Sequence, residues 1–255
     1  MLATIYTQEE IELMRIGGKR LNTVLHKVAD AVKVGVTPHE LDTLAEKLIR
    51  ETGDVPSFLN YSTDGHRPYP SSLCVSVNDE AVHGLGRDNH KALEEGDILN
   101  IDLGLTHKGL VSDKTLMLGV GKIASEDVNL IETTKLALEA GIRAIKPGNT
   151  TGDIGNAIEK VVKERGFKVM KELGGHGVGR CVHEFPFVPN FGIKGGGDIL
   201  KENMVIALEP IVTKGEPRIY TAADGHVYCS VDGSNVAQWE DTVLVTKNGF
   251  EILTR

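Results

Sequence analysis

Four acidic residues stand where acids are costly. Asp102 lies in GDILNIDLG (96–104) and Glu209 in ENMVIALEP (202–210), two strongly apolar runs that read as buried strands. An ionised carboxylate in such a strand costs several kcal/mol unless it is paired or bound to metal. Asp113 in LVSDKTLML (110–118) and Glu240 in AQWEDTVLV (237–245) each stand two residues before a threonine. Asp102 and Asp113 are 11 residues apart with HKG between them, a spacing that an antiparallel hairpin can fold onto one face. Two carboxylates held that close repel and keep a proton unless a cation lies between them, and a divalent metal meets that need. Taken singly, each acid reads equally well as the solvent-facing member of an alternating strand. Their matching places in the two halves of the chain weigh against that.

The candidate nitrogen donor is His176 in LGGHGVGRCVHEFP (173–186), set among Gly174, Gly175, Gly177 and Gly179. The glycine spacing is not a dinucleotide fingerprint, and His176 and His183 are seven apart rather than the four of an HExxH helix. A histidine in a glycine-rich turn is often just a turn residue. Beside four such acids, the ligand reading is the stronger.

The elements that must position these groups form a repeat. Residues 34–53 (VGVTPHELDTLAEKLIRETG) and 147–166 (PGNTTGDIGNAIEKVVKERG) align without gaps at a shift of 113. Gly35 meets Gly148, Thr37 meets Thr150, Glu46 meets Glu159, Lys47 meets Lys160, Glu51 meets Glu164 and Gly53 meets Gly166. Each copy predicts an amphipathic helix closed by a glycine. Thr37 is placed as N-cap, with Pro38 at the first helical position and Glu40 completing a capping box. Each copy follows another helical segment, 9–33 and 126–146, and precedes strands bearing two carboxylates. The pattern predicts an α/β (α+β) fold, with one central sheet covered by helices on one face. It predicts a single domain, 1–255, built of two related halves, about 1–120 and 121–255.

The chain carries 36 acidic and 28 basic residues, a formal charge of −8, which argues against nucleic acid as a partner. Cys74, Cys181 and Cys229 form no CxxC pair and no even framework, so a reducing compartment is expected. No signal-peptide core and no run of about 18 apolar residues occurs, so the expectation is a cytoplasmic protein without a membrane anchor.

LGGHGVGRCVHEFPFVPN, together with NDEAVHG (78–84), NIDLG, SDKT, MVIALEP and AQWEDT, resembles the signature of type I methionine aminopeptidases, in that family's order and over essentially the whole chain. The resemblance implies a pseudo-two-fold pita-bread fold with a curved antiparallel sheet. It assigns Asp102, Asp113, His176, Glu209 and Glu240 as ligands of two divalent ions (cobalt, manganese, iron or zinc). It implies removal of the N-terminal methionine from nascent polypeptides, through water activated by those ions. Glu209 would shuttle the proton, while His83 and His183 would hold the substrate and donate hydrogen bonds to its tetrahedral intermediate. Tyr69 and Cys74, and more weakly Trp239, are candidates for the apolar slot, with core packing an equal reading for each. The resemblance also implies a monomer that contacts the ribosome. Three departures bear on the pocket rather than the chemistry: Leu173 where the family usually has an aromatic, Phe191 where other bulky residues are usual, and His226 where a tryptophan is frequent.

Rival readings fit less well. A prolidase or aminopeptidase P carries a large extra N-terminal domain, and only about 90 residues precede the first ligand strand here. A type II enzyme inserts a helical block between His176 and Glu240, for which 64 residues leave little room. A binding module that kept the fold and lost the metal would have lost ligands, and all five are present.

Overall fold

The computed structural model describes residues 2–62 and 67–255. Helices α1 (Gln8–Ala29) and α2 (Pro38–Glu51) come first, followed by strands β1 (Val55–Pro56), β2 (Leu73–Val77), β3 (Glu80–Val82), β4 (Ile98–His107) and β5 (Leu110–Gly119). The second half opens with α3 (Ser125–Arg143) and α4 (Thr151–Glu164). It continues through β6 (Lys168–Val169), β7 (Gly174–Gly177), β8 (Glu184–Pro189), β9 (Val205–Leu208) and β10 (Ile211–Thr213). It ends with β11 (Ile219–Thr221), β12 (Tyr228–Ser230), β13 (Val236–Gln238), β14 (Glu240–Thr246) and β15 (Gly249–Ile252).

The two repeat helices begin and end alike. Thr37 and Thr150 each accept from the backbone N–H three residues on, and Glu40 and Asp153 return the bond to the cap backbone. Gly35 and Gly148 both have φ of +89°, and Gly53 and Gly166 have +79° and +81°. Helix α1 starts on the same capping device, at Thr7 and Glu10.

The main sheet runs β1-β4-β5-β14-β9-β7-β8, with β2 also on β4 and β15 on β14, and every pairing is antiparallel. The β5–β14 pair joins the two halves. Leu99, Ile101, Leu103 and Leu105 of β4 pack under α1 and α2, against Leu21, Leu25, Leu41 and Ile49. Ile206, Leu208, Val243 and Val245 pack under α3 and α4, against Leu138, Ile142, Ile154 and Ile158. Strand alternation then turns Asp102 to the opposite, concave face of β4. That face is covered too, by Tyr6, Phe58, Tyr69 and Val182 among others. The four helices and the α/β class are what the repeat predicted, and the curved antiparallel sheet is what the resemblance implied. Among the described residues no helix is long and apolar enough to cross a membrane.

Candidate metal centre

Register brings the acids into line. Asp102 of β4 lies opposite Thr115 of β5, and Thr115 lies opposite Glu240 of β14. Asp241 pairs with Leu208, so Glu209, one residue past the end of β9, comes level with Glu240. Two residues along, Asp113 lies opposite Gly104 on one side. On its other side the Thr242 hydroxyl accepts from the Asp113 N–H at 2.9 Å and donates to its carbonyl at 2.8 Å. His176 of β7 lies opposite Ala207 of β9. Strand parity puts all these side chains on the concave face, where Asp102 is 7%, Asp113 3%, His176 8% and Glu240 1% exposed and Glu209 is half-buried.

His176 reaches the group because β7 lies close on β9. A Cβ at position 175 would stand 2.2 Å from the Ala207 carbonyl, so only glycine permits that approach. The His176 ring holds Nδ1 at 2.9 Å from the Gly177 carbonyl, which puts the proton on Nδ1 and leaves the Nε2 lone pair free. That nitrogen lies 4.0 Å from Glu240 Oε1. Ligand atoms of Asp113, His176 and Glu240 all fall within 4.8 Å of one another.

The electrostatics call for a cation. Burial, first of all, pushes Asp102 up to about 7 and raises Asp113, Glu209 and Glu240 well above the carboxylate range. Mutual repulsion adds to this: Asp113 feels Asp102 and Glu209, and Glu240 feels Asp113, Asp102 and Glu209. Burial pulls His176 down to about 3, so its imidazole is neutral and free to coordinate. Asp102 Oδ1, Asp113 Oδ1 and Glu240 Oε1 are buried and have no hydrogen-bond donor among the described residues. Buried oxygens are seldom left so, and oxygen donors with one imidazole suit a hard or borderline divalent ion. Two further oxygens are held by the protein. Thr115 donates to Glu240 Oε2 at 2.9 Å, and Gln238 donates to Glu209 Oε1 at 2.9 Å. Asn190 fixes the Glu209 carbonyl at 2.8 Å.

A cavity opens beside these acids, lined by Phe58, Tyr61, Tyr69, Cys74, His83, Asp102, Asp113, His176, His183, Glu209, His226 and Tyr228 among others. His83 sits just past β3 with φ of +59°, unusual for a residue with a side chain. Burial, then the nearby His183 and His226, lower its pKa to about 4. The His83 ring lies 5.5 Å from that of Tyr228, and the nearby His226 is held by its N–H, which donates to Asp224. His183 lies on the opposite wall, its ring 4.5 Å from that of His176 and its Nδ1 3.1 Å from the Tyr61 hydroxyl. Burial lowers its pKa as well. Tyr69 donates to the Gly84 carbonyl at 2.8 Å, and Cys74 pairs with Asp102 across β2 and β4.

Trp239 is not on this wall. It packs on the helix side of the sheet with Lys135 5.0 Å from its ring centre, because residue 239 has the opposite parity to Glu240. Of the three departures, Leu173 packs in a small cluster with Met170 and Ile211, and Phe191 lies under Lys171. Only His226 reaches the cavity, its ring edge-on to Tyr69 at 5.7 Å. Phe58, Tyr61, Tyr228 and Gln238 went unassigned in the sequence. Gln238 had a signal, since it shares a parity with Glu240 and Thr242. The aromatics come from segments with no motif.

The family model for metallopeptidase family M24 matches residues 12–247. The chain is 41% identical to a methionine aminopeptidase of Clostridium perfringens, over 97% of this chain and 96% of that one. It is 40% identical to a methionine aminopeptidase of Aquifex aeolicus, over 100% and 99%. Its structure superposes on the crystal structure of methionine aminopeptidase from Thermotoga maritima with a TM-score of 0.95 at 37% identity, over the whole of both chains. A prolidase from Pyrococcus furiosus gives a TM-score of 0.77 at 25% identity, and this chain covers 65% of it.

Proposed function

The chain belongs to metallopeptidase family M24, and from that membership we propose that it is a metal-dependent aminopeptidase that removes the N-terminal methionine of peptides and nascent polypeptides. The observation that carries the reading is the set of buried carboxylate oxygens without donors, gathered around one neutral imidazole at the wall of a partly apolar cavity.

Asp102, Asp113, His176, Glu209 and Glu240 would hold two divalent ions, of cobalt, manganese, iron or zinc. When bound, such ions lower the pKa of an attacking water and polarise the scissile carbonyl. Glu209, fixed by Gln238 and Asn190 at the cavity edge, takes the proton of the attacking water and delivers it to the leaving amine. Tyr61 can donate to Nδ1 of the neutral His183, which leaves Nε2–H to donate to the carbonyl oxygen as charge builds there. His83, buried and neutral on the cavity wall, holds the substrate and donates a ring N–H to the same developing charge. Tyr69, Cys74 and Tyr228 form the slot for the thioether side chain.

The ligands come from both halves, so the working unit is the whole chain, acting as a monomer. Three free cysteines suit the reducing cytoplasm, where nascent chains emerge.

The test is hydrolysis of Met-Ala-, Met-Lys- and Ala-Pro-initiated peptides after chelation and reloading with manganese, iron or cobalt. Cleavage of Met-Ala peptides should vanish on chelation and return with metal. Activity that survives complete metal removal, or cleavage of the Ala-Pro peptide alone, overturns the reading.

A further inference from the structure

His83 needs explaining beyond its chemistry, because a left-handed backbone at a histidine persists only where the surroundings impose it. The segment that follows it, 84–93, runs back over the start of β2 and along α2. Gly84 accepts from the Val75 N–H and the Tyr69 hydroxyl, and its N–H donates to the Ser76 hydroxyl at 3.0 Å. Gly86 brings the loop against both β2 and α2: a Cβ there would stand 2.7 Å from the Leu73 carbonyl and 2.8 Å from the Asp42 Cβ. The Arg87 N–H donates to the Ser71 hydroxyl at 2.9 Å. The Arg87 guanidinium then reaches α2, where Nε lies 3.4 Å from Asp42 Oδ2 and Nη2 meets Glu46. His39 of α2 contacts the Arg87 carbonyl.

Asp42 is the centre of this arrangement. It is 1% exposed, and its Oδ1 accepts from the N–H groups of Ser72 and Leu73 at 2.7 and 2.9 Å, at the entry to β2. Oδ2 has no hydrogen bond among the described residues, and the Arg87 charge compensates it. One helix carboxylate thus ties down both the strand that carries Cys74 and the loop that carries His83. The His83 ring, by contrast, lies against Tyr228 of the other half of the molecule, 5.5 Å between ring centres.

We propose that Asp42 and Arg87 are positioning residues for His83: their ion pair clamps the 84–87 loop on α2 and so sets where the His83 ring meets the substrate. Neither residue touches the reacting atoms. The inference rests on the peptidase reading for its kinetics, though not for its geometry.

Arg87→Gln and Asp42→Asn, each loaded with manganese, are assayed on a Met-Ala-Ser peptide. Each should lower kcat about tenfold, with KM and manganese affinity within about twofold of the parent. Arg87→Lys, which keeps the charge, should recover most of the loss. On a His83→Ala background Arg87→Gln should cause no further loss, since there is no ring left to misplace. Arg87→Gln with kcat within about twofold of the parent refutes the proposal. So does an undiminished further loss on the His83→Ala background, or a manganese affinity that falls as far as kcat. If Asp42→Asn fails to fold, Arg87→Gln carries the test, at a side chain 37% exposed. The ¹⁵N resonances of the His83 ring report the geometry without activity. They should shift in Arg87→Gln, and unchanged resonances overturn the proposal. A parent protein inactive on Met-initiated peptides with every metal would count against the peptidase reading instead.

Discussion

The joint between the halves makes an asymmetric prediction. On the helix side of the β5–β14 pair, directly behind the acids, Lys114 lies opposite Asp241. They are 4% and 2% exposed, and Lys114 Nζ donates to Asp241 Oδ1 at 2.5 Å. Asp241 has further donors: the Thr254 hydroxyl at 2.9 Å, and Arg255 at 2.9 Å through Nε and 2.7 Å through Nη2. Removing the lysine as Lys114→Met therefore leaves a carboxylate still served by a hydroxyl and a guanidinium. The cost should be about 1–2 kcal/mol, near that of one charged hydrogen bond. Removing the acid as Asp241→Leu strands a buried ammonium, at about 3–5 kcal/mol. The double variant leaves neither charge and should be more stable than Asp241→Leu alone. For a chain of this size 1 kcal/mol moves Tm by about 2–4 °C, so the single variants should lose about 2–8 °C and about 6–20 °C. The assay is urea unfolding in chelator, since bound metal would stabilise the folded state by mass action and mask the difference. Lys114→Met as damaging as Asp241→Leu, or a double variant less stable than Asp241→Leu, would refute the reasoning.

Three further outcomes are expected. Gln238→Leu removes the donor to Glu209 Oε1 and should cut kcat about tenfold while metal still binds; unchanged kcat in steady-state assays would show that Glu209 needs no such support. The stability gained on loading manganese should grow as pH rises from about 4 to about 7. Over that window the metal-free fold keeps protons, on Asp102 up to about 7, which the unfolded chain releases and the ion displaces. Urea titrations at each pH with a constant gain would contradict this. In the metal-loaded protein, His83 adds a slope of the same sign. The unfolded chain takes up a proton below about 6.5 that the folded state, with His83 near 4, refuses, so stability should fall as pH drops from about 6.5 to about 4. A His83→Gln variant with the same slope over that window would remove His83 as its cause.

Much of this site was legible because its residues break local patterns. Asp102 and Glu209 interrupt apolar strands, and Asp113 and Glu240 recur before threonines, so strand alternation alone marks them as one set of faces. The helix ends were legible for a similar reason. Thr37 with Glu40 is a three-residue device that works the same way in any protein, and Thr7 and Thr150 repeat it. The cavity wall was not legible. Phe58, Tyr61 and Tyr228 belong to segments with no periodic signal: Tyr228 reaches the cavity because β3 and β12, from different halves, pair beside His83, and Phe58 lies there because the segment after β1 is held on β4 through Ser57 and Gly104.

The chain by itself therefore determined the kinds of elements, their caps and the residues able to bind a cation. Those properties depend on side chains within about four residues of one another, through helical or strand periodicity. Tertiary structure decided everything that depends on partners far apart in sequence. It turned Trp239 into the core and His226 onto the wall, and left oxygens of Asp102, Asp113 and Glu240 without donors among the described residues. It also set the His83 ring 5.5 Å from that of Tyr228, 145 residues away. Strand register and burial fix those relations, and both are set by how the two halves close on each other.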